Sequence, residues 1–284
     1  MVTRVLAAML GSTLLLGGSL RAQSAAPPRA LQSSDSAHAP APLFTLRDAA
    51  VAAAFAGATV ALFPVDERVA KHLQNPGAQA NRFFKDASNG VELIASPGAF
   101  VIGGTLYAVG RLGHHDRVAD LGWHGTEAVL VAQGVTGVLK GALGRARPYA
   151  SADTIPRDFK FGGGFSSDDR RSFPSGHATT AFAAAAAVTS EARRWWPEQW
   201  WSTWLVGPAM YGGATMVGLS RMYHNKHWAS DVALGAAIGT FSGMKVVQYS
   251  HAHPRNRVDR IMLHTALAPD GRGGAMLGWS IATP

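Results

Sequence analysis

Segments rich in alanine, glycine, leucine and valine alternate with short polar connections from residue 43 to about residue 247. No segment before residue 260 shows the sustained alternation of apolar and polar residues that is typical of a half-buried strand. The pattern therefore predicts an all-α body. Its main helices are predicted at residues 46–63, 91–111, 125–145, 177–194, 202–217 and 229–249, with shorter helices near 66–74 and 78–89.

The two ends of the chain differ from this helical body. At the N-terminus Arg4 precedes a short apolar run, which is typical of a secretory signal peptide cleaved after Ala22 or Ala25. An uncleaved anchor is the alternative, although the run is shorter than the ~20 residues of a spanning helix. Near the C-terminus two short apolar runs flank a glycine-rich stretch, which predicts a β-hairpin. We thus expect a signal peptide at 1–22, a disordered linker at 23–43, a helical domain at 44–255 and a tail at 256–284.

Composition narrows the classes of function. The net charge of +8 suits an anionic substrate or lipid, but no Lys/Arg-rich run or nucleic-acid motif accompanies it, so no nucleic-acid partner is expected. The chain has no cysteine, which excludes disulfides, thiolate catalysis, cysteine-ligated zinc and a bacterial lipoprotein anchor. Candidate chemistry must therefore come from its other polar residues.

A first candidate site lies at the end of the third main helix. Lys140 and Arg147 are seven residues apart, or about 700° of helical turn, so both side chains should share one face just before Pro148 ends the helix. Two aligned cations in an apolar stretch suggest a bound anion, whereas the alternative is a pair of solvated cations. Arg145 falls off the shared face and is not assigned to the site.

A second candidate opens the fourth main helix. Ser175 and Gly176 follow Pro174, and His177 begins an alanine-rich segment. The free N–H groups and the positive end of that helix favour an anion at this turn. Ser175 can cap the helix or donate to an oxyanion, and Gly176 lets an anion approach the backbone. A plain helix start with an incidental histidine is the alternative.

A third candidate pairs a histidine with a carboxylate. Ser220 and Arg221 close the fifth helix, and His227 and Asp231 follow at a spacing of i and i+4. The carboxylate would fix the tautomer of the imidazole and leave its other nitrogen free as a nucleophile. A surface His–Asp pair is one alternative. A metal site that includes His224 is another, which the neighbouring cations disfavour.

Two further groups are interpreted without a catalytic role. The histidines at 114, 115, 251 and 253 lie in polar or basic connections, and solvated positions are expected for them. Five tryptophans between residues 195 and 204 indicate either an interfacial aromatic belt or packing between helix ends. The residues between 151 and 171 are polar and rich in glycine, which predicts a long active-site loop.

Together these stretches resemble the type 2 phosphatidic acid phosphatase superfamily, which also holds bacterial non-specific acid phosphatases and vanadium haloperoxidases. The family pattern is Lys-x6-Arg-Pro, then Pro-Ser-Gly-His, then Ser-Arg-x5-His-x3-Asp. The matching positions are Lys140, Arg147, Pro148, Pro174, Ser175, Gly176, His177, Ser220, Arg221, His227 and Asp231. The resemblance implies a bundle of about six main helices with the active site at one end.

The resemblance also implies a division of labour and a function. His227 would attack phosphorus, Asp231 would orient it and His177 would act as acid and base; Lys140, Arg147, Ser175, Gly176 and Arg221 would bind the phosphate. We expect a phosphomonoesterase that needs no metal or cofactor and acts on a lipid phosphate, an isoprenoid pyrophosphate or a soluble ester. A vanadate-dependent haloperoxidase and a catalytically silent envelope scaffold are the alternatives.

The expected location is the cell envelope. A cleaved signal peptide would place the domain in the periplasm or at the periplasmic face of a membrane. The mean hydropathy of +0.05 is low for a protein with many spans, and charged residues interrupt most of the apolar segments. We therefore favour an exported helical domain of the periplasm that acts on a phosphorylated small molecule or lipid. Whether this domain is soluble, associated with a membrane or embedded in one is left open by the sequence.

Overall fold

A computed structural model describes residues 42–151, 155–254, 256–263, 265–269 and 275–279. The predicted signal peptide and nearly all of the linker lie outside these residues. The helices are α1 (Leu46–Leu62), α2 (Asp66–Leu73), α3 (Pro76–Gln79), α4 (Arg82–Leu93), α5 (Ala99–Leu112), α6 (Asp116–Leu143), α7 (Gly176–Trp195), α8 (Trp200–Trp204), α9 (Val206–Tyr223), α10 (Ala229–Ala252) and α11 (Arg257–Leu263). The all-α body predicted from the sequence is confirmed.

Helix α7 lies at the centre of the bundle, packed against α6, α9 and α10. Its alanines leave room for this, and Ala178, Ala183 and Ala186 are all completely buried. Around this centre α5 packs on α6, α4 on α9 and α1 on α10. Small side chains at the centre let several helices approach one another closely.

A glycine seam formed by Gly235, Gly239 and Gly243 joins α10 to α7. A Cβ atom on Gly239 would lie 2.3 Å from the carbonyl oxygen of Thr179, and one on Gly243 would lie 2.5 Å from that of Ala183. Both distances are shorter than any van der Waals contact, so larger residues would force the two helices apart. The seam fixes how α10 sits on α7.

The end of α6 differs from the sequence prediction. The helix ends at Leu143, and Gly144 takes a left-handed conformation with φ of 60°. A Cβ atom at Gly144 would lie 1.9 Å from the carbonyl oxygen of Lys160. Gly144 therefore terminates the helix, in place of the predicted stop at Pro148.

Two other predicted helices are divided in the structure. The segment predicted at 91–111 is interrupted by a π-helical turn, Ile94–Gly98, which contains Pro97. The segment predicted at 202–217 is split between α8 and α9. Helix α6 also begins at Asp116, earlier than the predicted residue 125. Apolar content thus predicted which segments are helical, but it did not predict where the local backbone interrupts a helix.

The tail contains two short strands, β1 (Thr265–Pro269) and β2 (Ala275–Trp279). They pair antiparallel, with Thr265 opposite Trp279. Residues 270–274, which would form the turn, lie outside the described residues, so the hairpin stays a prediction.

One helical stretch within the described part of the chain, Leu46–Leu73, is long and apolar enough to cross a membrane. This result rests on length and composition, which a signal sequence or a core helix can also satisfy. The apolar part of the stretch is almost wholly exposed, however, unlike a core helix. Helix α1 within it has 17 residues, or about 26 Å of helix.

Candidate active site

The carboxylate of Asp231 organises the first turn of α10. Its Oδ2 accepts hydrogen bonds from the backbone N–H of Trp228 at 2.8 Å and from the hydroxyl of Ser172. The same oxygen lies 3.4 Å from Nδ1 of His227, so the predicted His–Asp pair is present. Asp231 and Ser172 are completely buried and His227 is 3% exposed. The pair is therefore shielded from water rather than displayed on the surface.

Arg145, which was not assigned to the site from the sequence, binds the carboxylate of Asp231. Its Nη1 donates to Oδ1 of Asp231 at 2.5 Å and its Nη2 donates to Oδ2 of Asp66 at 2.7 Å. Although burial opposes it, Arg145 is the main cause that lowers the pKa of Asp231 to about 2. The guanidinium lies within 4.6–5.6 Å of the rings of Phe63, Phe159, Phe173 and Trp228. Arg145 thus holds Asp231 ionised and in place.

The surroundings of His227 keep its imidazole neutral. Burial, together with the charges of Lys140 and Arg147, lowers the pKa of His227 to about 3, against the opposing effect of Asp231. With Nδ1 facing the carboxylate, the proton of the neutral ring belongs on Nδ1. The Nε2 atom then carries a free lone pair, which a nucleophile requires.

The predicted cations Lys140 and Arg147 do lie near this ring, but for a different reason from the one expected. Arg147 follows α6 in an extended conformation, with φ of −74° and ψ of 153°, so the two residues do not share a helical face. Its Nη2 forms an ion pair with Asp168 at 3.2 Å. Burial, followed by repulsion from Arg147, lowers the pKa of Lys140 to about 7. The turn at Gly144 is what brings Arg147 back towards the site.

The third cation, Arg221, is held by a residue that the sequence analysis missed. Arg221 lies in the last turn of α9 and pairs with the carboxylate of Glu92 on α4. Glu92 also lies 2.9 Å from Nδ1 of His224 and 3.8 Å from Nε2 of His177. Arg221 is 5% exposed, and its Nε finds no hydrogen-bond partner among the described residues. A buried N–H without an acceptor can donate to an incoming anion.

The start of α7 joins the same cluster. Ser175 is the N-cap, its Oγ accepts from the N–H of Ala178, and its own N–H donates to the carbonyl oxygen of Asp231 at 2.9 Å. A Cβ atom on Gly176 would lie 3.6 Å from Cε of Lys140, which places the amine arm against this turn. The start of α7 therefore faces the cations.

His177 is the second residue of α7, and its side chain is partly buried. Burial and repulsion from Arg221 lower its pKa to about 4, with Glu92 opposing the shift. An anion bound among the cations would reverse much of that repulsion and favour the protonated ring. His177 is thus placed to exchange a proton once an anion is present.

The structure separates the residues of the alternative metal site. His224 faces Glu92 and Ser88, whereas His227 faces Asp231. The predicted loop of residues 151–171 contributes Asp168, which pairs with Arg147, and Arg171, whose carbonyl accepts from Lys140 at 2.5 Å. The loop therefore helps to orient two of the three cations.

Comparisons with known proteins agree with this geometry. Residues 122–255 match the family model described as PAP2 superfamily. A 72-residue stretch is 42% identical to lipid A 1-phosphatase of Porphyromonas gingivalis. That stretch is 25% of this chain and spans only 15% of the length of that curated relative.

Two solved structures are also similar. The transmembrane PAP2 type phosphatidylglycerolphosphate phosphatase of Bacillus subtilis aligns with a TM-score of 0.50 and 21% identity, over 77% of this chain and 98% of that one. Aquifex aeolicus LpxE aligns with a TM-score of 0.46 and 19% identity, over 65% of this chain and 96% of that one. The first likeness bears on the fold, and the matched family region contains the assembled His, Asp, Lys and Arg residues. The chain therefore carries a PAP2 superfamily domain, over residues 122–255.

Proposed function

We propose that this protein is a phosphatase of the cell envelope that removes a phosphate group from a phosphorylated lipid through a phosphohistidine intermediate. The observation that carries the proposal is the buried, neutral ring of His227, held by Asp231 beside Lys140 and Arg147. A neutral imidazole among cations is suited to attack a phosphate, because the cations attract the anion while the ring keeps its lone pair.

In the first chemical step Nε2 of His227 attacks phosphorus and the bond from phosphorus to the leaving oxygen breaks. The leaving oxygen takes a proton from His177, and the phosphoryl group remains on His227. Asp231 stabilises the positive charge that develops on the attacking imidazole through its contact with Nδ1. The buried Arg145 keeps that carboxylate ionised throughout.

In the second step His177 acts as a base. It accepts a proton from a water molecule, the water oxygen attacks phosphorus, and the bond between phosphorus and Nε2 of His227 breaks. Inorganic phosphate is released and both rings return to their starting state. One residue thus serves as acid and then as base, which requires the lowered pKa of His177 to respond to the bound charge.

The side-chain cations would bind the non-bridging oxygens of the phosphate. Charge in phosphoryl transfer is spread over these oxygens, so positioned cations stabilise the transition state. Lys140, Arg147 and Arg221 supply three such groups, and the N–H groups at Gly176 add the start of α7. Chelators should therefore leave the chemical step intact.

Three observations support a lipid as the substrate. Helix α1 presents a long apolar surface that is almost wholly exposed. Large apolar side chains on α5 and α6 are exposed as well: Val101, Ile102, Val109, Leu112, Leu130, Val131, Val135 and Val138. The matched curated relative is a phosphatase of lipid A. An apolar surface beside an anion site suits a membrane-associated enzyme with an amphiphilic substrate.

The test compares wild type with His227→Asn and the matched control His253→Asn. At 25 °C the purified protein should release phosphate from a lipid phosphate in mixed micelles and from p-nitrophenyl phosphate. EDTA should leave this activity unchanged, and orthovanadate should inhibit it. His227→Asn should lose at least about 1,000-fold in kcat. Brief mixing with labelled substrate and an alkaline quench should trap label on wild type and on the control only.

Each unfavourable result has a distinct meaning. A fully active His227→Asn protein would refute the nucleophile. Hydrolysis of soluble esters without hydrolysis of the lipid would refute the substrate class alone. Bromide oxidation that requires vanadate and peroxide, without phosphate release, would identify a haloperoxidase instead.

A further inference from the structure

A second polar cluster, here called the distal cluster, lies in the bundle at the opposite end of α6 from the candidate active site. It consists of His124 on α6, Glu191 on α7 and His251 on α10. His124 precedes Lys140 by sixteen positions, which corresponds to about 24 Å along the helix. The cluster is thus too far away to contact a substrate at His227.

The three side chains meet at close range. Nδ1 of His124 lies 2.6 Å from Oε1 of Glu191, and Nε2 of His251 lies 2.9 Å from its Oε2. The two imidazole rings are 5.3 Å apart at an angle of 76°. His124 is 2% exposed and Glu191 is completely buried, whereas His251 reaches the wall of a cavity of about 350 Å³. The sequence had indicated a solvated position for His251, which is wrong, because Glu191 draws the ring inward.

This geometry matches the needs of a transition-metal ion. One atom from each residue can serve as a ligand, and the three atoms lie within 4.8 Å of one another. Two imidazole nitrogens and a carboxylate oxygen are a common ligand set for Zn²⁺. The ligand atoms come from α6, α7 and α10. A bound ion would therefore join these three helices at the end of the bundle that lies beyond the glycine seam.

A further carboxylate lies behind the first ligand. Nε2 of His124 is buried, finds no hydrogen-bond partner among the residues described, and faces Oδ2 of Asp259 at 3.7 Å. Asp259 is itself held by Trp123, whose Nε1 donates at 3.1 Å, and by the side chain of Asn256. A histidine that binds metal through one nitrogen usually donates its other N–H to a carboxylate. Asp259 is in position for that role.

The charges of the region favour a cation. Asp116, Asp120 and Asp259 line the cavity around His124, together with one cationic side chain, Arg111. Glu127 lies near Asp259, and its buried Oε2 has no hydrogen-bond partner within the described part of the chain. A divalent ion between the two imidazoles and Glu191 would be attracted by these neighbouring carboxylates.

We propose that His124 Nδ1, Glu191 and His251 Nε2 form a structural site for one zinc-like divalent transition metal, with Asp259 orienting His124. The ion would tie α6, α7 and α10 together and, through Asp259, fix α11 at the end of the domain. Because α11 precedes β1, the metal would also anchor the tail to the bundle. The site makes no contact with the phosphate, so it would govern stability rather than the chemical step.

The test uses the full chain without a polyhistidine tag, stripped with a chelator and titrated with ZnCl₂ by calorimetry. We expect one ion per chain with a Kd below about 1 μM. The Tm should rise by about 5–10 °C at a zinc concentration one hundred times the Kd. CoCl₂ should give the strong visible bands of a four-coordinate ion, with a water molecule from the adjoining cavity as the fourth ligand.

Matched variants locate the ion. His124→Gln, Glu191→Gln and His251→Gln should each weaken zinc binding by at least about 100-fold, and Asp259→Asn by about 10–100-fold. The control His253→Gln, on the neighbouring turn, should bind as wild type does. Phosphatase activity at 25 °C should be retained in all of them and serves as a check of folding.

Three results would overturn the proposal. The first is wild-type protein that takes up no zinc or cobalt below about 100 μM, which would leave the distal cluster as a hydrogen-bonded ion network. The second is undiminished binding by His124→Gln and Glu191→Gln, which would place the ion elsewhere. If these variants do not fold, a wild-type cobalt spectrum of the weak, six-coordinate type would count against the site.

Discussion

Arg145 offers the most demanding test of how the site is built. Replacing it with methionine removes a completely buried guanidinium but retains much of its apolar length. The change leaves the carboxylates of Asp66 and Asp231 in the interior without their shared cation. Breaking a buried ion pair from one side costs about 3–5 kcal/mol, because the remaining charge stays desolvated.

That magnitude is large against a total stability of about 5–15 kcal/mol. In a protein of this size it corresponds to a fall in Tm of about 6–20 °C. Activity should fall as well, by about 100-fold in kcat, since Asp231 would no longer hold His227 in the attacking orientation. The Tm and kcat of Arg145→Lys should lie between those of the wild type and Arg145→Met, because a single ammonium cannot donate to both carboxylates in the way the guanidinium fork does.

Thermal unfolding followed by circular dichroism, with kinetics on p-nitrophenyl phosphate, measures both effects. The control is Arg170→Met, which removes a partly exposed arginine bound to Asp158 at 3.0 Å and should cost less than about 1 kcal/mol. Adding Asp66→Asn to Arg145→Met should restore part of the lost stability, since one uncompensated charge disappears. A fall in Tm no larger than that of the control would refute the account of Arg145.

Three other changes probe separate features. The pKa of Lys140 is about 7, so the positive charge of this side chain is lost as pH rises above 7. The KM of the wild type should therefore increase with pH, and Lys140→Arg, which stays charged, should abolish that increase. Gly144→Ala should lower the Tm by more than Gly162→Ala, because both residues have positive φ but only the first would clash with a neighbouring carbonyl; equal shifts would contradict the role of the turn. Glu92→Gln should tighten inhibition by inorganic phosphate by up to about fivefold, because Arg221 loses the carboxylate that competes with phosphate. Weaker inhibition would show instead that Glu92 positions Arg221 for the anion.

The sequence predicted the location of most of the main helices because their apolar, alanine-rich composition distinguishes them from the polar connections. It did not predict where helices break, since Gly144 and the turn around Pro97 act through local backbone geometry. The site residues were predicted from residue types at set spacings, and the structure places them together. The reason given for Lys140 and Arg147 was nevertheless wrong, because a turn rather than a helical face brings them near each other.

The residues that the sequence missed all depend on distant partners. Arg145 binds Asp66, which lies 79 positions away, and His251 binds Glu191, which lies 60 positions away. Nothing in the local sequence of either residue indicates such a partner. Glu92 was missed because it lies outside the motifs, on a helix that meets the site only in the folded chain. Pairings of this kind become visible only through tertiary packing.

The glycine seam between α10 and α7 has a consequence for how the protein can diversify. The seam sets the separation between the start of α10, with Asp231, and the start of α7, with Ser175. A larger side chain in the seam would move the start of α10, with His227 beside it, away from the start of α7, which carries His177. Under the proposed function these are the two reacting rings. New substrate preferences are therefore expected at positions outside the seam, such as exposed residues of the loop between 155 and 167, where a changed side chain leaves the spacing of the two helix starts intact.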